Sequence, residues 1–116
     1  MIGLDYTGHV ALVTGGTAGT GRGIAERFLQ AGAAVVVCGR KVPESLPSAD
    51  GRTATFVACD VRDAESVDKL VAEVLAQHGR LDVLVNNAGG APFTDAATAS
   101  PRFSEKIIAL NLTSAL

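Results

Sequence analysis

Residues 10–21 read VALVTGGTAGTG, an apolar run, Val10–Thr14, that leads straight into a glycine-rich turn. Arg22–Ala31 follows with Ile24, Phe28 and Leu29 at helical spacing, and Gly32 supplies its stop. A strand feeding a glycine turn and then a helix N-terminus builds an anion site. Main-chain N–H groups point outward, and the helix dipole favours negative charge. The glycines let the backbone approach a pyrophosphate and let the helix pack close to the strand. Spacing separates the candidate motifs. A G-x-G-x-x-G pattern from Gly19 and Gly21 meets Ile24 where its third glycine belongs. A P-loop from Gly16 to Gly21 meets Arg22 in place of lysine and Gly23 in place of the magnesium-binding hydroxyl. The spacing that fits is Thr14-Gly15, three residues, Gly19, one residue, Gly21.

Working outward, apolar runs alternate with helical patterns. Ala34–Cys38 is a second strand whose unbroken valines suit burial on both faces. Thr53–Ala58 is a third. Asp63 caps the next helix, with Glu65 in its first turn and a stripe of Val67, Leu70, Val71, Val74 and Leu75. That helix ends near His78-Gly79. Val83–Val85 is a fourth strand, and a last helical stretch is expected from about Ser104 to the end. Lys41–Arg52, polar and holding Pro43 and Pro47, reads as a loop with at most one helical turn. Alternating strands and helices imply right-handed crossovers and a parallel sheet. At 116 residues the chain is at most one domain, and 1–116 is expected to be the N-terminal portion of it.

Composition narrows the function classes. Ten basic against twelve acidic residues give a formal net charge of -2. This offers no electrostatic footprint for nucleic acid or an anionic membrane. No apolar stretch approaches the ~20 residues of a membrane span, and the N-terminus lacks a secretory pattern. A cytoplasmic location is therefore expected. Hydrophobic residues make up 47% and aromatics 4%, so the core must be built from small aliphatic side chains. Cys38 and Cys59 read as small buried thiols, not as a disulfide or a metal site. His9 precedes the first strand, away from where ligands bind in such sheets, and His78 sits near a helix C-terminus, where it suits the dipole, so neither is expected to be catalytic. Asp82 reads as a turn residue opening the fourth strand. The loop Ala91–Arg102 follows the cleft wall.

Four motifs in order make the chain resemble the classical short-chain dehydrogenase/reductase family. They are TGGTAGTG at 14–21, Asp60 in Cys59-Asp60-Val61, NNAG at 86–89, and Asn111 within IALNLTS at 108–114. Small departures are His9 where Lys is common and Thr20 where Ile is usual. The resemblance implies an α/β fold, a Rossmann-like doubly wound parallel sheet of about four strands with flanking helices. It also implies an oxidoreductase that uses a nicotinamide dinucleotide on a small-molecule carbonyl or alcohol. Carried over, Gly15, Gly19 and Gly21 line the pyrophosphate, with Thr14, Thr17 and Thr20 in the same turn. Asp60 contacts the adenine amine and Val61 the ring. Asn87, Ala88 and Gly89 border the ribose, and Asn86 ties the central strands. Asn111 distorts its helix and holds a water of the proton relay. Relatives commonly form homo-oligomers.

The family's Ser and Tyr-x-x-x-Lys do not occur within these residues, and the chain has no tyrosine after Tyr6. The resemblance therefore covers the cofactor-holding portion, and a fragment of a longer protein is the expectation. Two alternatives stand beside it: a non-catalytic dinucleotide-binding module, and a non-functional truncated product with Val83–Val85 as an exposed edge. The choice of nicotinamide cofactor turns on Gly39-Arg40-Lys41 after the second strand. NAD binding favours an acid there. Two cations instead favour NADP, with NAD as the alternative, unless they are only solvated loop charges. Ala18 weighs the other way, since NADP-preferring relatives often carry a basic residue in that turn.

Overall fold

The computed structural model describes residues 5–87 and the strand at 108–111. Strand β1 is Val10–Thr14, β2 Ala34–Gly39, β5 Thr55–Ala58, β6 Val83–Asn86 and β7 Ile108–Asn111. They form one parallel sheet in the order β5-β2-β1-β6-β7. Helix α1 spans Gly19–Gln30 and α2 spans Ala64–His78.

The two-residue period of a strand explains why the helices lie on opposite faces. Val10 and Leu12 of β1, Val36 and Cys38 of β2, and Leu84 of β6 share one apolar cluster with Val67, Leu70 and Val74 of α2. Their neighbours Ala11, Val13, Val35, Val37, Val83 and Val85 join Ala25 and Leu29 of α1 in a second cluster. Strands β1, β2 and β6 therefore each feed two cores. This is why Ala34–Cys38 carries no polar alternation, and it makes the sheet doubly wound. Helix α2 follows its sequence signals closely. Asp63 accepts the Glu65 N–H at 3.1 Å, and Gly79 closes the helix at φ 76°.

Three expectations need correction. Helix α1 begins at Gly19, not Arg22, so its first turn is built from the glycine segment itself. Packing of Gly21, Ala25 and Leu29 overrides the poor helix propensity of glycine. The stretch after β2 is not simply loop. It carries an antiparallel ribbon, β3 Ser48–Ala49 and β4 Arg52–Thr53. Asp50 (φ 53°) and Gly51 (φ 77°) form its turn, and Asp-Gly is a pair that tolerates two successive positive φ angles.

The third correction concerns the C-terminal stretch. Ile108–Asn111 is a strand, not part of a helix, and pairs with β6 from Val83↔Ile108 to Asn86↔Asn111. A four-residue apolar run cannot distinguish strand from helix by periodicity, and the edge of β6 offers unpaired backbone groups. Asn111 therefore lies on a strand rather than in a distorted helix. The β6 edge is also covered rather than exposed. The remainder of the expected helix lies outside the described residues, as do Ala88, Gly89 and the 91–102 loop.

Asp82 clamps the base of the sheet. Its carboxylate accepts the Val10 N–H at 2.8 Å and two Arg80 N–H groups at 2.9 and 2.7 Å, while its own N–H donates to the Val10 carbonyl at 3.0 Å. Val10 is buried, so Asp82→Ala strands a backbone donor. The expected loss is about 1–3 kcal/mol, read from urea midpoints. Burial pushes this carboxyl up, but Arg80 and the Val10 N–H outweigh it and hold it below the ordinary carboxylate value. A lowered folded value means the contribution is complete above the unfolded value. It is lost as pH falls through the folded one, so wild type and variant should converge in strong acid.

Candidate dinucleotide-binding site

The parallel strands all end on one side, and of the predicted residues Thr14, Gly15, Arg40, Asp60, Val61 and Asn87 lie at or just past those ends. Helix α1 has Ala18 at its N-cap with no side-chain cap and no acid in its first turn. Its first N–H donors are thus left for another acceptor. Gly15 and Gly19 hold φ of 63° and 60°, angles that favour glycine. A Cβ on Gly19 would meet nothing within 4 Å, so the turn faces open space at that point. Gly21 is constrained by space, not angle. A Cβ there would strike the Gly15 carbonyl oxygen and lie 2.7 Å from Asn87 Nδ2. The helix start, the turn and the end of β6 are therefore in close contact through this one glycine. Gly16, assigned no role from sequence, packs its backbone against Val37.

Thr14 and Asn86 are buried at adjacent strand ends. The Thr14 hydroxyl donates toward Val85 O and Asn86 Oδ1, both at 3.3 Å. These contacts link the ends of β1 and β6.

A recess of about 260 Å³ opens between the ends of β2 and β5. Gly15, Gly39, Arg40, Asp60 and Val61 line it together with Cys38, Cys59 and Arg62. It collects Gly15, expected to line a pyrophosphate, and the three residues expected to read adenosine. Thr17, Gly19, Thr20, Gly21 and Asn87 lie outside its lining. Asp60 is held by Arg62, which donates from its backbone and Nε to Oδ1 at 3.0 Å each, and from Nη2 to Oδ2 at 3.1 Å. Those bonds, with a weaker pull from Arg40, keep the Asp60 carboxyl down at about 2. It stays ionised, an acceptor only, across the physiological range. Arg40 is exposed on the rim.

Two residues gain roles that the sequence reading did not give them. From sequence Arg22 opens the expected helix and rules out a P-loop, with no contact assigned to it. In the fold its guanidinium donates to Thr17 O at 3.3 Å, Ser45 O at 3.0 Å, Ser45 Oγ at 3.2 Å and Leu46 O at 3.2 Å. It pins the segment after β2 to the glycine turn. Arg62 is the second, through Asp60. The Asp60 pair is legible as an i, i+2 contact, whereas the Arg22 contacts reach 24 residues along the chain. Among the described residues, no group of three His, Cys, Asp or Glu side chains suits a metal ion, and no helix is long and apolar enough to cross a membrane. His9 stacks edge-on against Tyr6, 5.7 Å between ring centroids, before β1 and away from the strand ends.

Comparison with known proteins agrees with this geometry. The family model described as short chain dehydrogenase matches residues 9–116. Over 97 residues the chain is 43% identical to L-fucose dehydrogenase of Bos taurus, covering 78% of this chain and 34% of that protein. It is 32% identical over 111 residues to sorbitol dehydrogenase of Cereibacter sphaeroides, covering 94% and 43%. The chain thus spans less than half the length of these curated relatives. Among solved structures, a metagenomic short-chain oxidoreductase in complex with NADP superposes with a TM-score of 0.64 at 38% identity, covering 72% of this chain and 40% of that one. Ligand-free aldohexose dehydrogenase of Thermoplasma acidophilum gives a TM-score of 0.64 at 34% identity, covering 74% and 31%.

Proposed function

Since the chain belongs to the short chain dehydrogenase family, we propose that these strand ends hold NADP, with NAD as the weaker ligand, in an oxidoreductase that acts on a carbonyl or alcohol carbon. The dinucleotide supplies the hydride chemistry when bound. The chain's own residues bind and orient it. Gly15, Gly19 and Gly21, with Thr14, Thr17 and Thr20, take the pyrophosphate on the uncapped start of α1. Asp60 accepts from the adenine amine while Val61 lies against the ring. Arg40 takes the 2′-phosphate, and Asn87, Ala88 and Gly89 border the ribose. Asn111 is assigned the relay water at the cleft end of its strand. The whole protein acts in the cytosol as a homo-oligomer.

The observation that carries this reading is the turn itself, where Gly21 leaves no room for a Cβ and Gly19 faces open space. A ligand backbone fits where side chains are excluded. The cofactor choice rests on the end of β2, where Arg40 and Lys41 follow the strand and no acid stands in either position. Titration calorimetry of the chain with NADPH and NADH is the test. NADPH is expected to bind about tenfold more tightly than NADH. Absence of heat with either nucleotide would refute the reading, and equal affinities would refute the NADP preference.

A further inference from the structure

The two cysteines, 21 positions apart in the sequence, meet at the recess. Cys38 pairs with Val57 in the β2–β5 register, and the Cys59 N–H extends the ladder to Gly39 O at 2.9 Å. The strand period places both thiols on the α2 face, where they share one apolar cluster. Both also line the recess. The Ser66 hydroxyl of α2 donates to Cys59 Sγ at 3.4 Å. Each thiol immediately precedes a pair of recess residues, Gly39-Arg40 after Cys38 and Asp60-Val61 after Cys59. Both cysteines are free.

We propose that Cys38 and Cys59 are a peroxide-sensitive dithiol, and that its oxidation to an internal disulfide shuts the adenosine end of the recess to the dinucleotide. The identity of the excluded ligand rests on the function proposed above; the dithiol does not.

The Ser66 hydroxyl is turned to the Cys59 sulfur, which divides the labour. The hydrogen bond from Cys38 pulls the Cys59 thiol down, burial opposes it, Ser66 lowers it further, and the Asp60 and Asp63 carboxylates oppose; the balance is about 7. Cys38 is pushed up by the bond it gives to Cys59 and by burial. Cys59 is therefore the attacking thiolate and Cys38 the resolving thiol. The Cys59 sulfur attacks one oxygen of hydrogen peroxide, the O–O bond breaks, and water leaves with the thiol proton. Cys59 becomes a sulfenic acid. Cys38 sulfur then attacks the Cys59 sulfur, the S–O bond breaks, and hydroxide departs as water with the Cys38 proton. Two thiols lose two electrons in all, and one peroxide is reduced to two waters.

The register sets Cys38 beside Val57, two residues short of Cys59, so a covalent S–S bond needs the ends of β2 and β5 to shift toward one another and carries Gly39-Arg40 and Asp60-Val61 with them. Linkage makes the effect reciprocal, so bound nucleotide must resist oxidation as strongly as oxidation resists nucleotide.

The test treats the reduced chain with hydrogen peroxide, blocks remaining thiols with iodoacetamide, and maps the peptides by mass spectrometry. NADPH affinity is measured before and after. The expected result is joint loss of both thiols and a Cys38–Cys59 cross-linked peptide. NADPH affinity should fall by about tenfold and return with dithiothreitol. Saturating NADPH should slow thiol loss. In Cys38→Ser, peroxide should leave a sulfenic acid on Cys59 that dimedone traps. Oxidation of Cys59 alone in the wild-type chain, with no cross-link, overturns the proposal. So does a cross-link that leaves NADPH affinity unchanged. A reduced chain that does not bind NADPH at all counts against the proposed function, while the cross-linked peptide still decides the dithiol.

Discussion

Gly21→Val is expected to remove dinucleotide binding and to cost the fold about 3 kcal/mol. The added Cβ would collide with the Gly15 carbonyl oxygen and sit 2.8 Å from the Gly15 carbonyl carbon. Both are backbone atoms, so no side-chain rotation relieves the overlap. The turn has to open, and the Asn87 amide at 2.7 Å must move with it. Gly19→Val is the paired control. Its backbone angle of 60° penalises any side chain by about 1–2 kcal/mol, but the Cβ has free space around it. That variant should fold with a modest loss and still fail to bind, because its side chain occupies the space assigned to the pyrophosphate. Urea melts followed by circular dichroism separate the two stability losses. Calorimetry with NADPH reads the common binding loss. Wild-type affinity in the Gly19 variant would remove the turn from the binding site.

The contrast between those two glycines marks how far a sequence reading goes. Gly15, Gly19 and Gly21 are recognisable as a set from spacing. That one is limited by space and another by angle depends on how the turn brings the Gly15 carbonyl back against the helix start, and spacing alone does not encode that. The same division runs through the fold. Strands β1, β2 and β6 and helix α2 are legible because their apolar residues carry the pattern by themselves. The start of α1 is hidden because glycine is a poor helix former that tertiary packing overrides. The β3–β4 ribbon is carried by one signal, Asp50-Gly51, set among prolines and serines that read as loop. The strand at Ile108–Asn111 depends on an edge supplied by β6, 25 residues earlier at Val83↔Ile108. Most hidden of all are contacts that exist only through register. Arg22 reaches Ser45, and Cys38 meets Cys59, because β1, β2 and β5 line up. Composition and periodicity are silent on such pairs.

Arg40→Asp is expected to reverse the cofactor preference, raising the NADH-to-NADPH affinity ratio by about 100- to 1000-fold. Arg40 is exposed on the rim of the recess, one residue past the end of β2. The carboxylate within its field, Asp60, is already held by two side-chain bonds from Arg62 at 3.0 and 3.1 Å. Arg62 thus satisfies Asp60 and leaves the Arg40 guanidinium for a ligand phosphate. Removing Arg40 forfeits charge-assisted hydrogen bonds of about 1.5–3 kcal/mol to the 2′-phosphate. The new carboxylate then repels that phosphate and accepts from the 2′-hydroxyl of NADH, so the two nucleotides move in opposite directions. Stability should change by less than about 0.5 kcal/mol, because the position is exposed and its side chain belongs to neither apolar cluster. The wild-type preference should weaken as salt rises, since screening acts on an exposed charge pair, and the variant should lose that dependence. Fluorescence titrations with both nucleotides at low and high salt read all of these effects. An unaltered ratio would take Arg40 out of cofactor selection and leave Lys41, tested as Lys41→Ala, as the cation that performs it.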